Sequence, residues 1–264
     1  KLEPSVSYGV SGHFLFNNDA SVTDQSGLGN NWSTSGTLTQ TEDNPSNVFC
    51  TMNPLDNYWQ NSTFTNGNNT FVTVASNENY NTSTLAMPSN DAGKYYCEVK
   101  IDSASAYTVL GIAGKLTTSA TSNFKNHSDG YAYDGGTGNI INNDIGSSYG
   151  DTYTTNDIIG IAVDTDNNKL YFSKNGVWQN SGVPTSGATG TGAISITTDT
   201  TNGYYMFAGG TRHNDSAQLS WNFGNGYFGT TAVSSAGTNA SGIGIFEYDV
   251  PTGYTALSTK GLNL

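Results

Sequence analysis

Apolar residues in this chain come in short bursts, each of strand length and each closed by turn residues. The clearest is Ile158-Ile159-Gly160-Ile161-Ala162-Val163, bounded by Asp157 and Asp164 and rich in β-branched side chains. The turn cluster Thr165-Asp166-Asn167-Asn168 follows it. Lys169-Leu170-Tyr171-Phe172-Ser173-Lys174 then alternates, with Leu170 and Phe172 on one face. Asn175-Gly176 is a type I′ turn signal ahead of Val177-Trp178. The stretch therefore predicts two successive hairpins, a meander. Phe64, Asn66-Gly67 and Phe71-Val72-Thr73-Val74 predict another hairpin in the same grammar. Further strands are predicted over residues 94–101, 107–113, 193–197 and 204–208, a short one over 13–16 and a weaker one over 243–246. No window long enough for an amphipathic helix escapes interruption by Gly, Asn or Ser. The spacing predicts an all-β sandwich of about 12–15 strands without an internal repeat. Soft boundaries fall near Asp43-Asn44-Pro45 and over residues 230–241, rich in Ser, Gly and Ala.

Composition first pulls the other way. Charged residues make up 11% of the 264 and hydrophobic ones 35%, and such polarity resembles disorder. Aromatic residues at 12%, arriving inside regular bursts, restore the ordered reading. The formal charge of −12 argues against a nucleic-acid partner, whose phosphates need a basic surface. No apolar run approaches the ~18 residues of a membrane span, so no membrane insertion is expected. The chain starts at Lys1 without a signal peptide, as expected of a processed or trimmed copy. Cys50 and Cys97 fall in predicted strand regions and read as buried hydrophobes, with a disulfide between them left open.

Several of these strands occur in an order that resembles SPRY domains. Gly93-Lys94-Tyr95-Tyr96-Cys97-Glu98-Val99 is similar to the opening strand of that family, and Val109-Leu110-Gly111-Ile112 to the next. Ser128-Asp129-Gly130-Tyr131-Ala132-Tyr133 sits where the family has its Gly- and aromatic-rich strand. Residues 156–164 resemble its Gly-Asp-x-Ile-Gly-x-x-x-Asp segment, with Asn156 in place of the first Gly, and residues 170–176 its Phe-x-x-Asn-Gly hairpin. The resemblance implies a concanavalin-like antiparallel β-sandwich that binds partners through loops at one edge and is not an enzyme. The flanks narrow it. Residues 8–16, 24–32, 43–55 and the tail Val250-Pro251-Thr252-Gly253-Tyr254-Thr255-Ala256-Leu257 resemble structural proteins of tailed bacteriophages, marine and cyanobacterial ones above all. That implies a virion protein decorating the capsid or forming part of the tail or fibre.

Candidate chemistry is sparse. His127-Ser128-Asp129 and His213-Asn214-Asp215-Ser216 hold triad residue types side by side, yet a triad is assembled in space rather than by adjacency. Asp129, Asp134, Asp151 and Asp164 stand near strand ends, as a glycosidase pair would require. Asp164-Thr165-Asp166-Asn167-Asn168 alternates oxygen ligands like the start of a calcium loop but lacks its Gly and distal Glu, and reads as a turn. Tyr131, Tyr133, Tyr149, Tyr153, Trp178 and Arg212 are the candidate binding residues, since aromatic rings give contact area at low entropic cost. Asn-x-Ser/Thr triplets such as Asn31-Trp32-Ser33 are expected by chance at this composition.

The expectation is thus an N-terminal β extension (1–49) packing on a SPRY-like sandwich (50–229), followed by a C-terminal extension (230–264). No catalytic residue, metal or cofactor is expected. The expected partners are other virion proteins, and the chain is expected in the virion as a homo-oligomer, a trimer favoured. The rival roles are an adhesin for a host surface polysaccharide and a glycan-degrading tailspike-like enzyme.

Overall fold

The computed structural model describes residues 9–13, 22–35, 43, 46–56, 61–75, 78–90, 93–116 and 123–263. The strand expected over 13–16 therefore lies outside them, apart from His13, as do Asn44 and Pro45. In chain order the strands are β1 (Thr63–Thr65), β2 (Thr70–Val72), β3 (Asn79–Thr82), β4 (Met87–Pro88), β5 (Lys94–Ser103), β6 (Thr108–Ala113), β7 (Gly130–Asp134), β8 (Asn139–Asn142), β9 (Ile145–Ser148), β10 (Ile158–Asp164), β11 (Lys169–Lys174), β12 (Val177–Trp178), β13 (Ile194–Ser195), β14 (Tyr204–Thr211), β15 (Gln218–Asn222), β16 (Tyr227–Phe228), β17 (Thr231–Ala232) and β18 (Thr255–Ala256). Among the described residues the helices are short 3-10 turns. Both Asn-Gly signals form the predicted turns, with positive φ at Asn66 and Gly67 and at Asn175 and Gly176. Asn156, at the position where the family has Gly, also adopts a left-handed conformation, φ 73°.

Two antiparallel sheets form an all-β sandwich. One runs β1-β2-β15-β5-β10-β11-β12, with β13 added on β11 and β18 on β5. The other runs β3-β14-β6-β7-β8-β9, with β4 added on β14. Strand alternation explains the core. Tyr95, Cys97, Val99 and Ile101 of β5 meet Leu110, Ile112, Tyr133 and Phe207 of the facing sheet. The opposite set on β5, Tyr96 and Glu98, is buried as well. A second apolar cluster covers that outer face, where Tyr96, Ala162 and Tyr171 lie under Phe49, Ile243, Phe246, Val250 and Tyr254. This double cover is why residues 158–163 read as a continuous apolar run. Cys50 and Cys97 are both buried free thiols, and burial pushes both thiols up from their ordinary value.

The chain divides into two compact units, Lys1–Thr41 and Glu42–Leu264. In the first, the Asp24 carboxylate accepts from the Ser26 and Asn30 amides, while Asn30 Nδ2 donates to the carbonyls of Val10 and Gly12. In the second, residues on either side of the expected boundaries at 49/50 and 229/230 pack together. Phe49 bridges Ser258, the Cys50 amide donates to the Leu257 carbonyl at 3.0 Å, and β18 pairs in parallel with β5. The weak strand expected over 243–246 is instead an irregular segment with one bridge, Ile245 to Asn225. Gly242 and Gly244 take φ of 66° and 88°, which breaks the extended run. Ile243 and Phe246 face the sheet nonetheless.

Candidate functional site

Strand register builds the loop edge that carries Arg212. On β6, Thr108 pairs with Thr211 at the end of β14, and Val109 pairs with Asp134 at the end of β7. Three connections thus leave the sheet side by side: residues 104–107, 135–138 and 212–217. Backbone bonds tie them, with Arg212 N to the Tyr107 carbonyl and Gly135 N to the Thr108 carbonyl, each 2.9 Å.

Arg212, the sole arginine in the chain, sits across these loops. Its Nε donates to Asp134 Oδ2 at 2.7 Å, and its side chain keeps 22% of its surface exposed while that of Asp134 keeps 1%. Asp134 also accepts from the Gly136 amide and the Thr137 hydroxyl, each 3.0 Å, so its carboxylate is fixed from three directions. The guanidinium carbon lies 5.0 Å from the Tyr107 ring centroid, a cation–π distance. The Tyr107 and His213 rings are stacked, centroids 4.7 Å apart. Asp215 accepts from Ser105 Oγ at 2.7 Å and from the Ser216 amide at 2.8 Å. Those bonds, the serine hydroxyl first, hold its carboxyl below the usual range. Among the described residues, the terminal amino groups of Arg212 have no recorded hydrogen-bond partner in the protein. A planar guanidinium is therefore held at its Nε while its side chain stays partly exposed.

The other predicted binding residues lie elsewhere. Tyr131 and Tyr133 are alternate residues of β7, and the strand turns both inward. Tyr149 and Tyr153 follow β9 in a segment that folds back on the sandwich, where the Tyr153 amide donates to the Gly135 carbonyl. Tyr133, Tyr149 and Tyr153 are all buried, and Tyr133 packs on both of the others and on Phe172. Their hydroxyls are used internally. Tyr133 donates to the Asp151 carbonyl, Tyr153 to the carbonyls of Thr108 and Tyr133, and Tyr149 accepts from the Phe172 amide. Burial pushes all three phenols up. Tyr131 is buried too and accepts from the Thr197 amide. Trp178 is half-buried against Tyr96 and Tyr171, on the outer face of the other sheet. Of the six, Arg212 is the part-exposed member of the loop edge, and Tyr153 lies buried beneath it, bonded to Gly135 and Thr108. Tyr107, Ser105 and Asp134 complete it, and no local pattern joins them, because Tyr107 and Arg212 are neighbours only through the Thr108–Thr211 register.

The catalytic candidates are dispersed. Ser216 Oγ donates to the Thr73 carbonyl, and Asp129 accepts from the Thr201 amide. Asp164 is fully buried, pairs with Lys94 at 3.1 Å and accepts from Asn167, so the 164–168 segment is built as a turn. Asp134 and Asp164 sit at opposite ends of the sandwich, since Asp164 pairs with the first residue of β5 and the Arg212 edge begins after its last. No group of three His, Cys, Asp or Glu side chains able to hold a metal occurs among the described residues.

Residues 94–223 match the family model of the SPRY domain. Ran-binding protein 9 of Danio rerio is 37% identical over 87 residues, 32% of this chain and 14% of that protein. Ran-binding protein 9 of Homo sapiens is similar at the same identity over 12% of its length. The chain thus matches only a small part of these curated relatives. Among solved structures, the SPRY domain of human HERC1 is 15% identical with a TM-score of 0.49, over 64% of this chain and 96% of that one.

Proposed function

Residues 94–223 are a SPRY domain, and from that premise we propose that this chain is a non-enzymatic binding module that grips a protein partner at the Arg212 edge. The observation that carries the reading is the presentation of Arg212. A buried carboxylate fixes its Nε, an aromatic ring lies 5.0 Å from its guanidinium carbon, and its side chain keeps 22% of its surface exposed. A guanidinium held this way suits the carbonyl or carboxylate oxygens of a peptide segment, and a rigid sandwich holds its loops still for recognition. The relatives bear the name Ran-binding protein, which supports a protein as the partner class here.

Selection of peptides from a displayed random library on the full chain tests this. Enriched peptides are expected to bind Arg212→Ala more weakly by about 2 kcal/mol, the loss typical of an arginine anchor, and Arg212→Lys is not expected to rescue them. No enrichment, or binding indifferent to Arg212 and Tyr107, would defeat the reading. The finer proposal is that the partners are other virion proteins, with the chain decorating a capsid or forming part of a tail or fibre as a homo-oligomer. It rests on the resemblance of the flanking segments, and none of the relatives named above is a virion protein. Density for the chain in a map of a purified particle supports it, and absence of the chain from purified particles overturns it.

A further inference from the structure

The chain holds four Asn-Gly pairs, at 66–67, 175–176, 202–203 and 225–226. Such a pair carries chemistry of its own. The glycine nitrogen can attack the asparagine Cγ, because the glycine has no side chain to block the approach. The new N–Cγ bond closes a cyclic imide, the Cγ–Nδ2 bond breaks, and ammonia leaves with the proton of the glycine amide. Water then opens the imide at either carbonyl and gives aspartate or isoaspartate. The step needs a side-chain amide free to swing over the next nitrogen, a nitrogen not firmly held by another acceptor, and room around the glycine.

Three of the pairs are locked by the fold. Asn175 Oδ1 accepts from the Ile158 amide at 2.8 Å, and its Nδ2 donates to Asp157 Oδ1 at 2.7 Å. A Cβ on Gly176 would stand 2.7 Å from the Tyr248 ring. Asn66 Nδ2 donates to Thr70 Oγ1 at 3.0 Å, which holds the departing nitrogen against β2. The buried Gly226 amide, the attacking group of its pair, donates to Asn222 Oδ1 at 3.1 Å. The pair at 202–203, in the turn between β13 and β14, differs on each count. Asn202 is exposed, and its side chain has no recorded partner among the described residues. The Gly203 amide reaches the Thr200 carbonyl only at 3.3 Å. Gly203 takes φ 76° and has nothing within 4 Å of where a Cβ would stand.

We infer that Asn202 is a site of spontaneous modification, at which the folded chain converts its own asparagine to aspartate and isoaspartate with water as the co-reactant. The new carboxylate joins a turn that already carries Asp199 and whose Thr201 amide donates to Asp129 at 2.7 Å. It adds negative charge at the end of β14 opposite Arg212. The inference is independent of the protein-binding reading at Arg212.

Warm incubation of the folded full chain at neutral pH tests it, followed by peptide mapping that separates the asparaginyl, aspartyl and isoaspartyl forms. Asn202 is expected to convert first. The other three pairs should be slower by at least about tenfold, since each must open locally before its groups can meet. In concentrated guanidinium chloride the four rates are expected to fall within about threefold of one another, because unfolding removes what distinguishes the pairs. Asn202→Gln is expected to delete the first acidic form seen on isoelectric focusing. The inference is overturned if Asn66, Asn175 or Asn225 converts as fast as Asn202 in the folded chain. It is overturned equally if Asn202 reacts only in denaturant, if its lead survives unfolding, or if Asn202→Gln keeps the acidic form.

Discussion

Gly111→Ala is expected to destabilise the fold sharply. Gly111 lies in the middle of β6, paired with Ala132 of β7 on one side and Ala208 of β14 on the other. A Cβ built there would stand 1.9 Å from the Tyr131 carbonyl oxygen and 3.0 Å from its carbon. Both atoms are backbone of a central strand, so no side-chain rotation relieves the overlap. The sheet would have to part at β6–β7, where Leu110, Ile112, Tyr131 and Tyr133 hold the core. Overpacking with no room to relax is assigned about 4 kcal/mol or more, a large share of the ~5–15 kcal/mol that keeps a domain folded. Gly146→Ala on the exposed strand β9 is the control. Its added methyl comes no closer than 3.6 Å to a side-chain atom, and it should stay within about 0.5 kcal/mol of the parent. Urea unfolding followed by circular dichroism reads both. A Gly111→Ala chain that unfolds at the parent's midpoint would mean that β6 and β7 are not packed as described.

The second large effect concerns Glu98, and it is expected to be pH-dependent. Glu98 is fully buried on the outer face of β5. Its Oε2 accepts from the Glu247 amide at 2.8 Å and Asn222 Nδ2 at 3.4 Å, and its Oε1 from the Tyr248 amide at 2.9 Å and the Tyr96 hydroxyl at 3.1 Å. One carboxyl thus clips the C-terminal segment onto the sandwich. Burial raises its pKa from 4.5 to about 7, against the opposing pull of those four donors. The folded chain therefore holds a proton that the unfolded chain has already released between these two values. The stabilisation from Glu98 is full below about pH 4.5 and is lost as pH rises through about 7, a fall of up to ~3 kcal/mol. Glu98→Gln cannot ionise, so the urea midpoint of the parent should drop from pH 5 to pH 8 more than that of the variant. Parallel pH profiles would sink the idea. Glu98→Ala, which leaves four donors without their acceptor, is expected to cost about 3 kcal/mol and to lose amide protection first over residues 245–250.

Much of the architecture was legible because strands and tight turns are written in neighbouring residues. Asn66-Gly67 and Asn175-Gly176 supply two consecutive left-handed residues, and the alternation of 169–174 names its own inward face. Sequence reading missed apolar strands, such as β15 with Leu219 and Trp221, as well as polar ones. β3 is Asn-Tyr-Asn-Thr and β9 is Ile-Gly-Ser-Ser, compositions that resemble loops until a neighbouring strand supplies the ladder. The candidate site was legible at one residue. Arg212 stood out as one of very few basic residues, in a loop between strands, whereas the four tyrosines were chosen as aromatic contact area, and residue type says nothing about which side chains the sandwich buries.

What the chain determined by itself is the all-β class, the meander over residues 157–178, the order of strands shared with SPRY domains and a formal charge of −12. These depend on period, turn chemistry and composition, all local or summed quantities. Tertiary structure alone decided that Tyr107, Asp134 and Arg212 share one edge, that residues 230–263 close the outer face, and that Glu98 is the buried clip beneath them. Each of these joins segments about 30 to 150 residues apart. Such contacts are set by strand register and by which sheet face remains to be covered, and neither is encoded in any one stretch of the sequence.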